Sequence, residues 1–503
     1  MLVGATIFVT ENRSGGFIAH GIYNDVSVDG MALANNLFEG HHPLFMFRGR
    51  QLEAGKAVYD AYNRFPVFPF LIIGALTHPF ENNLALQVYT ARLLMDVFFF
   101  LSIILAFMVL DKLTKNRYLA LSVTIIAFSS YYVVNYHNMV FNDIPALMGF
   151  LLALYGVVKA ESGPITKPDI LLYALVPISM GWQPYAVLGM WLIVDASEIL
   201  TGRETSIAKK IKDLLHRPSF AITCLAVAWG VVILGLQLLN EWRIVGGTFA
   251  NLPSVGSAMW RTGLSSAAGH TNYVSAFAWH SYFLSQAYAM TMMLIPFWPI
   301  FQSDPGVNGS VAIVVFVFAY MLVRYRKDRR PANKVFLIMI YCALLWTIPL
   351  RSFVGLHAFQ SIFYIAFALA VYSMLLSRIK EGTLRFLAID LALTFFISMS
   401  MTNNLVSPSR SIDRVTGEFQ NIKNDLPPDS KVYLDGNQTW MVGFSHRAID
   451  YYLVGSWFTT RDEAQYAVSL NPDFPGNKLT TNAHYNLFKL SPAGAAGKGY
   501  RSR

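Results

Sequence analysis

Charged residues are scarce in this chain. Lysine, arginine, aspartate and glutamate make up 14% of its 503 residues, whereas hydrophobic residues make up 54%. A soluble domain usually contains about 25% charged residues. Repeated apolar runs, close to the length of about 20 residues that crosses a bilayer, take the place of the missing charge. The composition excludes an ordinary soluble protein and predicts an α-helical polytopic membrane protein.

Cysteine is nearly absent. The two cysteines, Cys224 and Cys342, lie inside apolar runs, which excludes a disulfide framework or a zinc framework. No group of His, Asp and Glu residues has the spacing of a metal site, and there is no nucleotide-binding motif. We therefore predict no metal site and no certain cofactor. A divalent cation shared by Asp25 and Asp143 stays open as an alternative.

The net charge of +9 does not indicate a nucleic-acid-binding protein, because the basic residues cluster in short loops between apolar runs. Such clusters mark the cytoplasmic side of a membrane protein. We predict that the loops 111–117, 199–217, 324–334 and 378–385 are cytoplasmic. Residues 10–85, the 137–143 turn, the 240–282 loop and everything after residue 402 then lie outside.

The apolar runs predict about 10–12 transmembrane helices. The segment from Met1 to Val9 is apolar but too short to span, and it has no preceding basic residues, so it does not resemble a cleavable signal. The segments 284–303 and 310–324 cannot both span under this topology, and we expect one of them to be re-entrant. The predicted spans are about 87–110, 118–136, 144–159, 169–181, 184–198, 219–239, 284–303, 310–324, 335–350, 355–377 and 386–402.

Two regions outside the spans are long enough to form structure of their own. The membrane domain is predicted at 1–402, with a large first external loop at 10–85, in which Met31–Phe38 reads as a short amphipathic helix. Residues 403–503 are more polar and predict a small extracytoplasmic α/β domain. In it, Phe419–Asp425 is expected to be helical up to Pro427, and Lys431–Leu434 and His484–Leu490 are expected to be strands.

Two acidic stretches stand out because they share the predicted external surface. They contain Asp25 and Asp143, and a carboxylate at such a surface can accept a proton from an acceptor hydroxyl or amine. The alternative is that each is an ordinary polar loop residue or helix cap, a role that suits Asp143 at the start of a helix. Asp29, also in the first stretch, is expected to be a helix-start residue.

Basic side chains on the same side are candidates for binding a phosphate, since ionisable residues in or beside spans are usually functional. The candidates are Arg64, Arg92, Arg351 and His357. Arg92 has an alternative partner in Asp96, one turn further along the helix. For Arg351 the alternative is a side chain that snorkels to the interface. Arg48 and Arg50 are expected to be loop charges.

Taken in order, these motifs resemble the type C glycosyltransferases, in the branch of protein O-mannosyltransferases and lipid A aminoarabinose transferases. The sequence departs from the family pattern at Val26, where a glutamate often follows the first aspartate. The matching features are Asp25 followed by Ala34–Gly40, Arg64 before Phe65-Pro66, Arg92 early in a span, Asp143 before Ile144-Pro145, and Arg351 and His357 before Phe363–Leu369.

The resemblance implies an inverting transfer of a sugar from a polyprenyl-phosphate donor to a lipid, polysaccharide or protein acceptor outside the cytoplasm. Asp25 would be the general base, and Asp143 would orient the acceptor. Arg64, Arg92, Arg351 and His357 would bind the donor phosphate, whose charge grows in the transition state. The implied location is a bacterial inner (plasma) membrane, with the active site and the C-terminal domain facing outward.

Two other functions compete with this one. A lipid or solute transporter could use the same charges along a translocation path, although the chain shows no clear internal repeat of the kind found in transporters. A catalytically inactive relative could serve as a structural subunit of a membrane complex, and Val26 is the residue that favours it.

Overall fold

A computed structural model of the chain describes residues 24–39, 44–137, 139–202, 206–261, 279–297, 306–349, 358–405, 410–435, 453 and 455–490. Within these ranges most residues are helical. The helices are α1 Asn24–Glu39, α2 Phe68–Thr77, α3 Leu84–Thr114, α4 Arg117–Phe128, α5 Tyr131–Tyr136, α6 Asp143–Ser162, α7 Lys167–Met180, α8 Pro184–Thr201, α9 Ile207–Leu215, α10 Pro218–Val245, α11 Pro253–Arg261, α12 Trp279–Met292, α13 Val307–Lys327, α14 Pro331–Thr347, α15 Ile365–Leu376, α16 Glu381–Leu405 and α17 Arg410–Asp425.

Five of these helices are long and apolar enough, by length and composition, to cross a membrane: α3, α6, α8, α10 and α13. Shorter apolar helices, such as α4, α14 and α15, pack among them. Large apolar side chains remain exposed on the outer helices, for example Val231 and Phe316 at 66% and 68%. An apolar surface of this kind suits contact with lipid rather than water. The predicted polytopic helical membrane fold is confirmed.

Local chemistry sets the helix ends. The Asn83 side chain accepts a hydrogen bond from the Leu86 amide at 3.0 Å and so caps the start of α3. Lys115 ends that helix in the left-handed conformation, at φ 53°. Asn116 then caps α4 by accepting from the Tyr118 and Leu119 amides. The chain reverses within two residues, which explains why the 111–117 loop is so short.

Two predicted segments differ in detail. The 118–136 span is divided into α4 and α5 at Ser129-Ser130, where the Ser129 hydroxyl bonds to the Ile126 carbonyl and to the Phe297 amide. The 284–303 segment begins as α12, which ends at Met292, and its residues 298–303 lie outside the described ranges. The re-entrant segment therefore stays a prediction.

Helix α1 is longer and more deeply placed than the predicted amphipathic helix at Met31–Phe38. From Gly30 to Leu37 every residue is buried, and Phe38, near the C-terminal end, is exposed. Gly74 of α2 allows close packing here, since a Cβ at that position would lie 2.6 Å from the Ala34 carbonyl oxygen. The amphipathic interpretation was wrong, because α1 packs against α2, against the strand Phe47–Glu53 and against Val140, so that no polar face is left open from Gly30 to Leu37.

The strands among the described residues form one seven-stranded sheet, in the order β2-β1-β4-β3-β5-β7-β6. Its strands are β1 Phe47–Glu53, β2 Lys56–Ala61, β3 Lys431–Leu434, β4 Trp457–Phe458, β5 Tyr466–Ser469, β6 Asn477–Thr480 and β7 Asn486–Lys489. The hairpin β1–β2 belongs to the segment 10–85, predicted as the first external loop, and β1 pairs in parallel with β4 through Gln51 and Phe458.

The predicted elements of the C-terminal region are confirmed: α17 ends at Asp425, β3 has the predicted bounds, and β7 lies within the predicted strand. The predicted boundary at residue 402 stays a prediction. Helix α16 runs through it, and the sheet combines strands from both sides of it.

Candidate functional site

The two acidic stretches meet directly. The Val140 amide donates a hydrogen bond to the Ser27 hydroxyl at 3.1 Å. Gly30 lies so close to Val140 that an added Cβ would be 2.0 Å from its carbonyl oxygen. Helix α1 therefore rests on the residues just before Asp143. Asp25 lies on the first turn of this helix, and its side chain is outside the described residues.

Asp143 is the first residue of α6 and is fully buried. Its carboxylate accepts a hydrogen bond from the Gln360 amide nitrogen, and the Gln360 oxygen accepts from the amide nitrogen of Gln183 at 3.4 Å. The N-cap position belongs to Asn142, which makes no side-chain capping bond. Asp143 is therefore part of a buried polar chain rather than a helix cap.

Arg64 lies beside this junction. Its guanidinium lies 4.3 Å from the centre of the Tyr62 ring, and Phe65 packs edge-on against Phe141 at 5.3 Å. Burial lowers the pKa of Arg64 below its ordinary value. None of the ion pairs among the described residues includes Arg64, and its buried Nε has no hydrogen-bond partner among them.

Arg48 differs, although it lies 4.8 Å from the same Tyr62 ring. It forms ion pairs with Asp29 at 3.1 Å and with Asp60 at 2.6 Å. Burial lowers the pKa of Arg48, but the two carboxylates raise it by more, so the pKa of Arg48 lies above its ordinary value. The expectation of a loop charge was wrong for Arg48. It was also wrong to expect Asp29 at a helix start, since Asp29 lies inside α1 and neutralises Arg48.

The segment before Arg64 is held by a buried network that sequence reasoning missed. Glu241 of α10 is fully buried and accepts hydrogen bonds from the Asn63 amide nitrogen and the Ser254 backbone amide, both at 3.0 Å. One turn earlier, Gln237 donates to the Phe65 carbonyl at 2.9 Å. The signal lay in the sequence: two polar residues four apart at the end of an apolar span.

The remaining candidates are less fully placed. Arg92 and Asp96 are both buried in the N-terminal part of α3, at 4% and 7% exposure, and the start of that helix contacts α1 where the Asn35 amide meets Gln87 at 3.5 Å. Arg351 and His357 lie outside the described residues, so their roles stay predictions.

Metal ligands were examined in the same way. Within the described part of the chain, no group of three or more His, Cys, Asp or Glu side chains has an arrangement that could hold a metal ion. His137, the histidine nearest to Asp143 in sequence, is buried against the Phe99 ring and bonds through Nδ1 to the Val134 carbonyl oxygen at 2.8 Å.

Comparison with known structures finds the oligosaccharyltransferase of Archaeoglobus fulgidus. Its apo form has a TM-score of 0.47 and 12% identity over 92% of this chain and 65% of its own. The structure with Zn and sulfate has a TM-score of 0.46 and 12% identity, over 90% of this chain and 62% of its own. The structure with an inhibitory peptide and a dolichol-phosphate has a TM-score of 0.43 and 14% identity, over 89% of this chain and 63% of its own. The chain thus spans less than two thirds of the length of these structures.

Comparison with protein families gives a match in the region that contains Arg92, Asp143 and the turn after α7. Comparison with curated proteins finds no match. Residues 73–184 match the family described as dolichyl-phosphate-mannose-protein mannosyltransferase. Over these residues the chain is similar to the protein O-mannosyltransferase branch of the type C glycosyltransferases, which confirms the predicted resemblance there.

Proposed function

We propose that the chain is an integral-membrane glycosyltransferase that moves a sugar from a polyprenyl-phosphate donor to an acceptor outside the cytoplasm. The observation that carries the proposal is the contact of α1 with Val140, which brings the acidic stretch at 24–30 against the start of α6. The family match over residues 73–184 supports a phosphate-linked sugar as donor.

Asp25 is the general base of the proposed reaction. It takes the proton of the acceptor hydroxyl or amine while that oxygen or nitrogen bonds to the anomeric carbon. The bond from this carbon to the donor phosphate breaks, and its electron pair leaves with the phosphate oxygen. Attack and departure occur on opposite faces of the sugar, so the configuration inverts. Asp143 orients the acceptor.

Arginine side chains stabilise the departing phosphate, whose negative charge grows as the bond breaks. Arg64 suits this role better than Arg48, because Arg48 is neutralised by two carboxylates and Arg64 is not paired with a carboxylate among the described residues. Arg92, Arg351 and His357 complete the proposed phosphate site. The acceptor is a lipid, polysaccharide or protein.

The proposed location is a bacterial inner (plasma) membrane, with the site facing outward. The basic α3–α4 turn and the lysines of α9 support this orientation, since positive charge collects on the cytoplasmic side. Membrane-impermeant thiol labelling of a cysteine placed at Lys115, compared with one placed at Ala54 in the β1–β2 turn, checks it. We expect labelling from outside at position 54 alone.

The central experiment measures sugar transfer from polyprenyl-phosphate-mannose in membranes that contain Asp25→Asn. We expect transfer to fall about 100-fold or more, because a positioned general base contributes roughly 10²–10⁴-fold. Asp60→Asn is the matched control, since it removes a half-exposed carboxylate from the same region. Unchanged transfer by Asp25→Asn excludes the base assignment. No transfer by the unmodified chain favours an inactive structural subunit.

The phosphate site has its own test. Arg64→Met is expected to raise the KM for the donor about 10-fold or more, because charged hydrogen bonds to phosphate are lost. Arg50→Met is the matched control, since Arg50 bonds to Asp429 and Gly455 of the sheet region instead. Transfer in the presence of EDTA tests the divalent cation separately. Loss of transfer that added cation restores would show that the reaction needs a divalent cation, for which Asp25 and Asp143 are the candidate ligands.

A further inference from the structure

The turn between α7 and α8 contacts both halves of the candidate site. It consists of Gly181, Trp182 and Gln183, directly before Pro184 begins α8, and it lies at the end of the segment that matches the family. The Trp182 indole donates a hydrogen bond to the Arg64 carbonyl at 2.8 Å. The neighbouring residue, Gln183, donates to Gln360, which donates to Asp143. This turn is thus hydrogen-bonded both to Arg64, assigned to the donor, and, through Gln360, to Asp143, assigned to the acceptor.

Close packing fixes this turn against α6. Gly181 has an extended backbone, at φ 178°, that any residue adopts, so its role is steric. An added Cβ would lie 2.3 Å from the Cβ of Ala146, in the first turn of α6 after Asp143. A side chain at position 181 would therefore separate the turn from α6. On the other side, the Tyr185 hydroxyl donates to the Ala226 carbonyl at 2.8 Å and anchors the start of α8 to α10.

The hydrogen bonds from Gln183 to Gln360 and from Gln360 to Asp143 run in one direction. Gln360 uses its nitrogen toward Asp143 and its oxygen toward Gln183, so the carboxylate is the final acceptor. All three side chains are almost completely buried, at 0%, 1% and 0% for Gln360, Gln183 and Asp143. In such a place the orientation of a carboxylate is set by its donors, because the loss of a donor leaves a buried charge poorly satisfied.

We propose that this turn is a positioning element for both substrates. Trp182 fixes the backbone of the arginine that binds the donor phosphate, and Gln183, through Gln360, fixes the carboxylate that orients the acceptor. The proposal rests on the proposed function, and it assigns roles to Trp182, Gln183 and Gln360. A positioning role predicts that loss of Trp182 affects the kinetics of the donor and loss of Gln360 those of the acceptor. A purely structural role predicts equal effects on both.

The test measures donor and acceptor kinetics in two variants. Trp182→Phe keeps an aromatic ring and removes the indole donor, so we expect the donor KM to rise about 5-fold or more and the acceptor KM to stay unchanged. Gln360→Met keeps the length and removes the amide, so we expect kcat/KM for the acceptor to fall about 10-fold or more with the donor KM unchanged. Gln183→Met should lower kcat/KM for the acceptor by a smaller factor, again with the donor KM unchanged.

Asn333→Leu is the matched control. Asn333 is buried and makes two hydrogen bonds of 2.9 Å, to Arg324 and to the Asp328 carbonyl, near the end of the bundle opposite to Asp143. Its substitution should lower the Tm, as the site variants do, without changing either KM. If each of the Trp182 and Gln360 variants changes the kinetic parameters for donor and acceptor by the same factor, or changes neither, the positioning role is excluded.

A second measurement separates this proposal from the proposed function. If the unmodified chain transfers no sugar, the proposed function fails, but binding of polyprenyl phosphate alone still decides the Trp182 role. We expect the Kd for polyprenyl phosphate to rise in Trp182→Phe and to stay unchanged in Gln360→Met. An unchanged Kd in Trp182→Phe, or absence of binding to the unmodified chain, overturns the assignment.

Discussion

Gly30 sets the distance between the first helix and the start of α6. It lies within a regular helix, so the reason for glycine there is the Val140 carbonyl, against which α1 packs without a side chain between them. Any larger residue forces the helix away from that carbonyl. At the residue scale, the site depends on such small side chains as much as on its charges.

Gly30→Ala is therefore expected to reduce both stability and transfer. Overpacking a tight contact costs about 1–3 kcal/mol, and a misplacement of about 1 Å at a reacting centre can lower the rate by about 10²-fold. Thermal unfolding and transfer assays measure the two effects. Gly235→Ala is the control, because that glycine of α10 has no atom within 4 Å of the added Cβ. Equal behaviour of the two variants would contradict the steric role.

Single charges could be recognised in the sequence, but their partners could not. Arg48 and Arg64 look alike locally, since each stands next to a phenylalanine. Only the fold shows that Arg48 meets Asp29 and Asp60 and that Arg64 meets the Tyr62 ring. The partners of Arg48 come from α1 and from the neighbouring strand β2, and no local pattern encodes which side chains will face each other in space.

At the scale of elements, a buried ionic cluster holds the helices together at the end of the bundle away from Asp143. Lys334 of α14 lies 2.9 Å from Glu161 of α6 and 3.2 Å from Glu198 of α8, and it also contacts Asp195. Asp195 accepts a further hydrogen bond from Ser219 of α10. The cluster fixes the C-terminal ends of α6 and α8, two helices that begin beside the candidate site.

Lys334→Met is expected to destabilise the protein by about 3–5 kcal/mol, because removal of the lysine leaves the buried Asp195 carboxylate uncompensated. The fall in Tm of the purified protein measures this effect. Arg330→Met, which removes a largely exposed ion pair with Asp328, should leave the Tm nearly unchanged. A Lys334 variant as stable as the unmodified chain would show that the cluster is not a stabilising contact.

The helices themselves were largely predictable, because a run of about 20 apolar residues has few alternatives to a membrane helix. The positions at which these helices are interrupted were not predictable. The break at Ser129-Ser130 depends on the contact of Ser129 with Phe297, far along the chain. The cluster around Lys334 likewise appears in the sequence only as isolated charges at the ends of three apolar runs.

At the scale of the whole molecule, the sheet connects the β1–β2 hairpin to the C-terminal region. The strands β3 and β7 were predictable from their own residues, but the pairing of β1 with β4 was not, because strand pairing has no local signature. Arg50 reinforces this connection: it forms an ion pair with Asp429 at 2.6 Å and lies 4.3 Å from the centre of the Trp457 ring.

Removal of residues 406–503 is expected to expose the β1–β2 hairpin and to abolish transfer. The turn at Ala54-Gly55 loses its support when β1 no longer pairs with β4, and an isolated hairpin is at best marginally stable. Limited proteolysis with mapping of the cleavage sites measures the exposure. Arg50→Ala, which leaves the strands intact, should give intermediate protection. A truncated chain with an equally resistant hairpin would contradict the shared sheet.

The shared sheet also has a consequence for biosynthesis. About 400 residues separate Gln51 from its partner Phe458, so at about 5–20 residues per second β1 waits roughly 20–80 s for β4 to be made. During this time its open edge could pair with other chains, a hazard that charged residues reduce, and Arg48, Arg50 and Glu53 lie along it. The sheet closes only after the helices between its halves have been synthesised, so an incomplete chain cannot assemble it.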